Sequence, residues 1–478
     1  MFRDTGCWFH PYITASTLET IPPICRNGGC VFMIRRVVLA IVALALIALT
    51  SVGSSQPASA ADTPSSVAAS AHFDADTATA AYLATMTPAA RARSDAYFEG
   101  GYWLILWDFV ITLLLAWALL GSRLSARMRD FAARLTRFRW AQTALYAIQY
   151  FILTAVVTLP WAAYEGYFRE HQYGMSNLGL TGWLGDQAKG LCIALIFGTL
   201  VAVAIYAVIR KLPKTWSLWG SVVVIGFLIF QIVISPTYLE PVFNKFYPLA
   251  ESPLKQRILS LARANGIPAK QVYEFDASKQ TTKISAHVSG VAGSAQVSLN
   301  DNLMNRASPE EVEAVMGHEM GHYVLNHIYK GVLALGVLVV IGFAFTSWAF
   351  GRVILKFGER WEFRDIADVA GLPLLVALFS AYMFALTPVL NTIVRTMEVE
   401  ADAFGLNAAR QPDGAAQAAL QLSEYRKMQP GPVEEVIFFD HPSGWTRIHR
   451  AMVWKAENLS AADIAAYDAL HHPPGSRP

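Results

Sequence analysis

Long apolar runs constrain this chain more than any other feature. A helix needs about 20 consecutive apolar residues to cross the hydrocarbon core of a bilayer. The chain is 54% hydrophobic and only 15% charged, whereas soluble domains are about a quarter charged. The apolar runs and the low charge content therefore predict a mainly α, polytopic membrane helix bundle embedded in a lipid bilayer. The sequence has six runs of suitable length: Tyr102–Leu120, Gln142–Tyr164, Leu191–Val208, Trp216–Ser235, Gly331–Phe350 and Gly371–Leu390. 

The N-terminal region carries the pattern of a secretory signal. Two arginines precede an apolar core at 37–49, and small residues at 58–60 form a cleavage site. Residues 33–60 are therefore expected to be a signal peptide or, if uncleaved, a membrane anchor. Residues 1–32 are an upstream extension that matches no part of a signal, which leaves Met33 as an alternative start. The Ala/Ser/Thr-rich residues 61–101 are expected to be a flexible segment.

Two polar stretches interrupt the membrane helices. Residues 236–330 separate the membrane part at 102–235 from two further spans at 331–391, and residues 392–478 follow those spans. Within the first polar stretch, Ser252-Pro253 predicts the start of an amphipathic helix that ends at Gly266. Alternating runs follow and predict a small antiparallel ribbon. These runs are VYEF at 272–275, KISAHV at 283–288 and AQVSLN at 295–300.

Charge and cysteine content exclude several function classes. The net charge of +2 provides no basic surface for nucleic acid. The four cysteines form neither a disulfide framework nor a cysteine-based zinc site. They are Cys7, Cys25, Cys30 and Cys192.

A histidine-rich helix is the clearest chemical feature. Ser308 and Glu311 predict a capping box, with Pro309 in the first turn. His318 and His322 follow on one helical face, four residues apart, and Glu319 lies next to the first histidine. This H-E-x-x-H arrangement is typical of zinc peptidases, with the two histidines as ligands and the glutamate as general base. A surface helix with two histidines is the plain alternative, but the apolar neighbours favour burial.

A zinc site needs a third protein ligand. Leu325 and Ile328 stand where the long metzincin form would place a glycine and a third histidine, which excludes that class. No acidic residue occurs between His322 and Glu359, so the ligand must follow the next membrane helix. 

The segment RTMEVEADAFGL at 395–406 supplies candidates for this ligand. Glu398 and Asp402 share a helical face, so the first can bind the metal while the second accepts a hydrogen bond from a ligand histidine. Glu400 points elsewhere and remains the second candidate for the ligand.

These two motifs together resemble the type I CAAX prenyl protease family, integral-membrane zinc endopeptidases whose ligand glutamate lies in E-x-x-A-D. The likeness covers roughly residues 100–450. It implies a bacterial member in which a gluzincin-like zinc metallopeptidase domain is interleaved with the membrane bundle. Further similar segments lie at 161–174, 235–249, 287–304 and 441–447.

The resemblance assigns site roles. It implies one Zn²⁺ per chain, bound by His318, His322 and Glu398, with Glu319 as general base. It makes Asp402 the partner that orients a ligand histidine, and His441 and Arg447 the groups that hold the substrate carbonyl or the developing oxyanion. Two further histidines, His327 and His449, are expected to be structural. 

The ribbon would bind a peptide or protein substrate as an added strand. Ser285-Ala286-His287 stands where the family commonly has Asn-Ala-Tyr, which leaves substrate preference open.

Basic loops predict the orientation in the membrane. By the positive-inside rule three loops lie in the cytoplasm, which places the catalytic face in the periplasm of a bacterial inner membrane. The geometry of the resembled family instead favours a cytoplasmic catalytic face. The basic residues are Arg123, Arg127, Arg129, Arg134, Arg137 and Arg139, then Arg210, Lys211 and Lys214, then Arg352, Lys356, Arg360 and Arg364.

The function expected is a membrane-embedded zinc metalloendopeptidase acting on membrane-associated or misfolded proteins. A catalytically silent membrane scaffold or lipid-binding bundle is the alternative, and a missing ligand or base would favour it. The sequence leaves the oligomeric state open.

Overall fold

The structure is a computed structural model that describes residues 73–289, 295–363 and 365–465. The upstream extension, the predicted signal or anchor at 33–60 and the C-terminal tail lie outside these residues. 

Five described helices are long and apolar enough to cross a membrane, and a pair bent by 55° makes a sixth candidate span. Each contains one of the six predicted runs. The five are α2 (Pro88–Gly121), α4 (Arg139–Gln172), α5 (Leu180–Lys211), α6 (Trp216–Phe243) and α10 (His327–Phe357). The bent pair consists of α11 (Leu372–Ala385), which a 3-10 turn precedes, and α12 (Thr387–Ala409). Asp108 in α2 accepts a hydrogen bond from Trp161 Nε1 in α4 at 2.7 Å, so it faces a neighbouring helix.

The flexible segment predicted at 61–101 is wrong for its described part. Helix α1 (Ala75–Ala84) begins after Asp74, whose carboxylate accepts from two backbone N–H groups, and α2 begins at Pro88. Alanine favours helix, and Leu83 of α1 also packs in a core cluster with Ile448. A composition that suggests a linker therefore forms helices that are held by tertiary contacts.

One end of the membrane bundle contains the predicted basic loops, and we call it the basic end. Helix α3 (Leu124–Leu135) links α2 to α4 there. Leu119, Tyr146, Ile209 and Phe350 belong to one buried cluster at this end. The four residues come from four different spanning helices, so the ends of these helices meet.

Part of the predicted antiparallel ribbon is confirmed: residues 286–289 and 296–300 pair antiparallel within a four-stranded mixed sheet. Its strand order is β1-β2-β4-β3, and β2 pairs with β4 in parallel. The parallel pairing was not predicted, because alternation indicates which faces are buried but not which strands are neighbours. The strands are β1 (Phe246–Pro248), β2 (Val272–Phe275), β3 (Ala286–Ser289) and β4 (Gln296–Asn300).

Helices cover this sheet and complete what we call the site layer. The predicted amphipathic helix is α7 (Pro253–Ala264), capped by Ser252. Ile258 of α7, Val297 of β4 and Met316 of the helix Pro309–Val324 lie in one fully buried core. The remaining elements are α8 (Asp301–Arg306), α9 (Pro309–Val324), α13 (Pro412–Leu422), α14 (Pro432–Phe438) and α15 (Gly444–Asn458).

Candidate metal centre

Helix α9 begins as the sequence predicts. Ser308 Oγ accepts from Glu311 N at 3.2 Å, and Glu311 Oε2 accepts from Ser308 N at 2.8 Å. This capping box fixes the register of the helix. His318 and His322 consequently project from one face, and both His318 and Glu319 are buried.

Small residues let α12 cross α9 at very close range. A Cβ atom on Gly405 would lie 2.8 Å from the backbone N of His318, and one on Gly321 would lie 3.2 Å from Ala401 Cα. The first distance is shorter than a carbon–nitrogen contact allows, so only glycine fits at Gly405. The close crossing brings the buried carboxylate of Glu398 against the two histidines.

His318, His322 and Glu398 form a compact cluster of possible metal ligands. His318 Nε2 lies 3.1 Å from His322 Nε2 and 3.2 Å from Glu398 Oε2. His322 Nε2 lies 3.4 Å from Glu398 Oε1. Ligands about 2.0–2.1 Å from a tetrahedral zinc are separated by about 3.3 Å. The spacing of these donor atoms therefore fits one small tetrahedral ion.

Electrostatics at the cluster favour a bound cation. Burial alone would lower the pKa of His318, but Asp402 and Glu398 outweigh it and raise the pKa to about 10. Glu398 is 1% exposed, and its Oε2 accepts no well-aligned hydrogen bond, although His318 Nε2 and His441 Nε2 each lie 3.2 Å away. A buried carboxylate oxygen without a hydrogen bond is costly, and a metal ion would remove that cost.

Asp402 contacts the Nδ1 side of the His318 ring. Its Oδ1 lies 2.8 Å from His318 Nδ1, which leaves Nε2 pointing into the cluster. Arg447 Nη2 donates to the same Oδ1 at 2.5 Å, and Arg450 Nη1 donates to Oδ2 at 3.4 Å. Two guanidinium groups thus hold the carboxylate that orients the histidine, and only Arg447 was singled out in the sequence.

Glu319 lies beside the cluster in a buried environment. Burial raises the pKa of its carboxyl above the ordinary value, although His318 and His322 act in the opposite direction. A carboxylate with a raised pKa accepts a proton more readily near neutral pH. The position and burial of Glu319 are compatible with the general-base role that the sequence predicts.

His441 reaches the cluster from the loop before α15. Its Nε2 lies 3.2 Å from Glu398 Oε2, and its Nδ1 lies 2.8 Å from Asp440 Oδ1. Burial opposes the ionisation of Asp440, but the neighbouring His441 holds the pKa of Asp440 below its usual value. The family resemblance pointed to His441, whereas no sequence signal pointed to the adjacent Asp440.

His327 also joins the site. Its Nδ1 lies 3.0 Å from His322 Nδ1, and its Nε2 lies 3.0 Å from Glu400 Oε2. Glu400, the second candidate for the third ligand, therefore points to the outer side of His322 and not into the cluster. The spacing of His327, five residues after His322, was the available signal. His449 instead pairs with Asp76 at 3.0 Å.

Comparisons with known proteins agree with this architecture. Residues 248–455 match Peptidase family M48, and residues 73–245 match the CAAX prenyl protease N-terminal family with its five membrane helices. An uncharacterized metalloprotease, YhfN of Bacillus subtilis, is 30% identical over 77% of this chain and 86% of its own length.

Eukaryotic relatives are similar over most of the same region. CAAX prenyl protease 1 of Saccharomyces cerevisiae is 28% identical over 66% of this chain and 70% of its own length. The crystal structure of S. mikatae Ste24p has a TM-score of 0.66 at 21% identity, and the match covers 79% of this chain and 96% of that one. The structural likeness supports the fold.

The sequence motifs, the helix bundle and the relatives agree on one family. The predicted fold is confirmed, and the silent scaffold is not favoured. This chain belongs to the type I CAAX prenyl protease family of membrane-embedded metalloproteases.

Proposed function

We propose that this protein is a zinc-dependent endopeptidase with one Zn²⁺ per chain. His318, His322 and Glu398 would hold the ion, and Glu319 would act as general base. The single observation that carries this proposal is the spacing of 3.1–3.4 Å among the three donor side chains. Two histidines and a carboxylate are a donor set typical of catalytic zinc, which keeps a fourth position open.

Peptide hydrolysis needs a base for the attacking water and an acid for the leaving amine. When bound, zinc acidifies water and polarises a carbonyl. Glu319 accepts a proton from the attacking water and then donates it to the nitrogen of the leaving amine, which breaks the C–N bond. Asp402 keeps the Nδ1 of His318 hydrogen-bonded, so that its Nε2 faces the ligand cluster.

His441 and Arg447 are proposed to hold the scissile carbonyl or the oxyanion that forms from it. Both lie beside the donor cluster: His441 Nε2 is 3.2 Å from Glu398, and Arg447 Nη2 is 3.4 Å from His318 Nδ1. A hydrogen-bond donor at such a position stabilises developing negative charge. Because Arg447 also holds Asp402, its replacement would weaken both functions.

The peptide or protein substrate is proposed to bind as an extended strand along β3. This strand lies at one end of the strand order and packs against α9. Pairing with a sheet edge provides affinity through backbone hydrogen bonds, largely independent of sequence. This mode suits a protease that accepts many unfolded segments.

Membrane-associated or misfolded proteins are the proposed substrate class. Several relatives are named CAAX prenyl proteases, so prenylated proteins are the competing class. Capturing bound peptides on a Glu319→Gln variant and identifying them by mass spectrometry would separate the two. Recovery of mainly prenylated C-terminal peptides would contradict the proposed class.

The catalytic face is proposed to be periplasmic, in a bacterial inner membrane. Supporting this orientation, Arg123 bridges Glu362, and Arg210 donates to the backbone of Arg139, so residues of three loops meet at the basic end. Such arginine-rich ends favour the cytoplasm. 

A labelling experiment tests this orientation in intact cells. Single cysteines at the exposed positions Lys270 in the site layer and Arg127 at the basic end would be introduced with the native cysteines replaced. A membrane-impermeant thiol reagent should label the first and spare the second. The reverse pattern would place the site in the cytoplasm.

The enzyme class is tested by metal content and chelation. The purified protein should contain one zinc per chain and cleave an unfolded casein reporter, and a chelator should abolish cleavage until zinc is restored. A zinc-free protein, or one that holds zinc without cleaving any unfolded reporter, would favour the silent scaffold.

A further inference from the structure

The two metal-binding histidines are supported from opposite sides by carboxylates of the same helix. His318 is held directly by Asp402, whereas His322 contacts His327, which in turn contacts Glu400. We propose that His327 and Glu400 form a hydrogen-bonded chain that positions His322 for metal binding. His327 is thus a positioning residue of the metal centre. The proposal rests on the proposed zinc site.

The backbone at the start of α10 brings His327 back towards α9. Asn326 has φ of 57°, in the left-handed region that asparagine tolerates better than most residues. This single left-handed residue ends one helix and starts the next, so the first side chain of α10 meets the last turn of α9. The His322 and His327 rings meet edge to face, with an interplanar angle of 77°.

The tautomers of His322 and His327 follow from one requirement, which is that His322 binds the metal through Nε2. If Nε2 of His322 provides its lone pair to the metal, the neutral ring carries its proton on Nδ1. That proton is donated to Nδ1 of His327 across 3.0 Å. His327 must then carry its own proton on Nε2, which donates to Glu400 Oε2 at 3.0 Å. Every ring nitrogen in the chain has one partner of the correct type.

Because His327 is buried, both of its ring nitrogens need a hydrogen-bond partner of the correct type. His327 is 4% exposed, and a buried ring nitrogen without a partner would be costly. At the outer end, the Glu400 carboxylate is more exposed and also accepts from Lys330 Nζ at 2.7 Å. A glutamate anchored in this way polarises His327, which strengthens its acceptance of the His322 proton.

The same helix therefore serves the centre through three carboxylates with different tasks. Glu398 points into the donor cluster, Asp402 supports His318, and Glu400 supports His322 through His327. Removing an outer partner of this kind typically costs about 10- to 100-fold in metal affinity or activity. A histidine that only fills space would have no such effect beyond its contribution to stability.

Zinc competition with a chromophoric chelator, carried out on the full-length detergent-solubilised protein, tests whether the hydrogen-bonded chain positions His322. His327→Ala should weaken zinc binding by about 10-fold or more. His327→Asn places an amide oxygen near the position of Nδ1 and should recover most of that loss. Glu400→Gln keeps an acceptor without charge and should lose a few-fold. At saturating zinc, the KM for a peptide reporter should stay at the wild-type value in all three variants.

A matched control and a spectrum separate positioning from packing. His449→Ala removes another histidine–carboxylate pair, that with Asp76, and should leave zinc affinity unchanged. The visible spectrum of the Co²⁺-substituted enzyme should change in His327→Ala and return towards wild type in His327→Asn. 

The possible outcomes are distinct. Wild-type zinc affinity in His327→Ala, or no recovery in His327→Asn, would overturn the positioning chain and leave the proposed function standing. A wild-type protein that binds no zinc would overturn the proposed function itself. Glu400→Gln alters a partly exposed side chain. Its zinc affinity therefore tests the hydrogen-bonded chain even if His327→Ala fails to fold.

Discussion

The two ends of this molecule are organised by different physical rules. At the basic end, apolar and tyrosine side chains from several spans pack together, and ion pairs such as Arg129–Asp368 lie at the partly exposed rim. At the metal centre, Glu319, Glu398 and Asp402 are all buried. The first region tolerates change because apolar packing is non-directional, whereas the second depends on particular atoms and a close helix crossing.

The metal centre should be most sensitive to loss of a carboxylate. Glu398→Ala removes a donor that lies within 3.4 Å of both histidines. Because outer partners alone are worth about 10- to 100-fold, zinc affinity should fall by more than about 100-fold. Equilibrium competition for zinc measures the change. Glu457→Ala, an exposed glutamate on α15, is the control, and a Glu398→Ala protein with normal zinc affinity would remove Glu398 from the site.

The close crossing of α9 and α12 should be nearly as sensitive. In an open helix position, Gly→Ala stabilises by about 1 kcal/mol, and Gly226→Ala in α6, where a Cβ meets nothing within 4 Å, should be neutral or stabilising. Gly405→Ala should instead cost about 1–3 kcal/mol through overpacking and reduce zinc affinity. Thermal unfolding and zinc titration measure both. Equal thermal stability and equal zinc affinity in Gly405→Ala and Gly226→Ala would show that the helix crossing is not tight.

The basic end should show the smallest effect. Arg129→Ala removes a partly exposed ion pair with Asp368, and such pairs contribute about 1 kcal/mol or less. Stability should therefore change little, and zinc affinity should stay the same. Thermal unfolding in detergent and the zinc competition assay would test this. A loss of zinc affinity comparable to that in Gly405→Ala would show that the basic end and the metal centre are coupled.

The features that depend on local sequence pattern were predictable. The spans followed from the length of apolar runs, the start of α9 from its capping box, and the Glu398–Asp402 face from helical spacing. The sheet order was missed because the parallel pairing of β2 with β4 depends on the path of the chain between them. The helices at 75–101 were missed because tertiary packing stabilises them.

The outer contacts of the site were the hardest part to predict. Asp402 lies one turn from Glu398, so its contact with His318 could be expected from spacing. His327 reaches His322 only because Asn326 adopts a left-handed conformation, and Arg450 reaches Asp402 only because α15 packs nearby. Such contacts arise from backbone reversals and helix packing that a single sequence does not encode locally.

Zinc content and peptide cleavage, compared between wild type and Glu319→Gln, test directly whether Glu319 is the general base of a zinc peptidase. The glutamine preserves size and burial while removing the ability to accept a proton. We predict one zinc per chain in both proteins and a loss of about 10²- to 10⁴-fold in turnover for the variant. A Glu319→Gln enzyme that retains wild-type turnover with zinc bound would contradict the account.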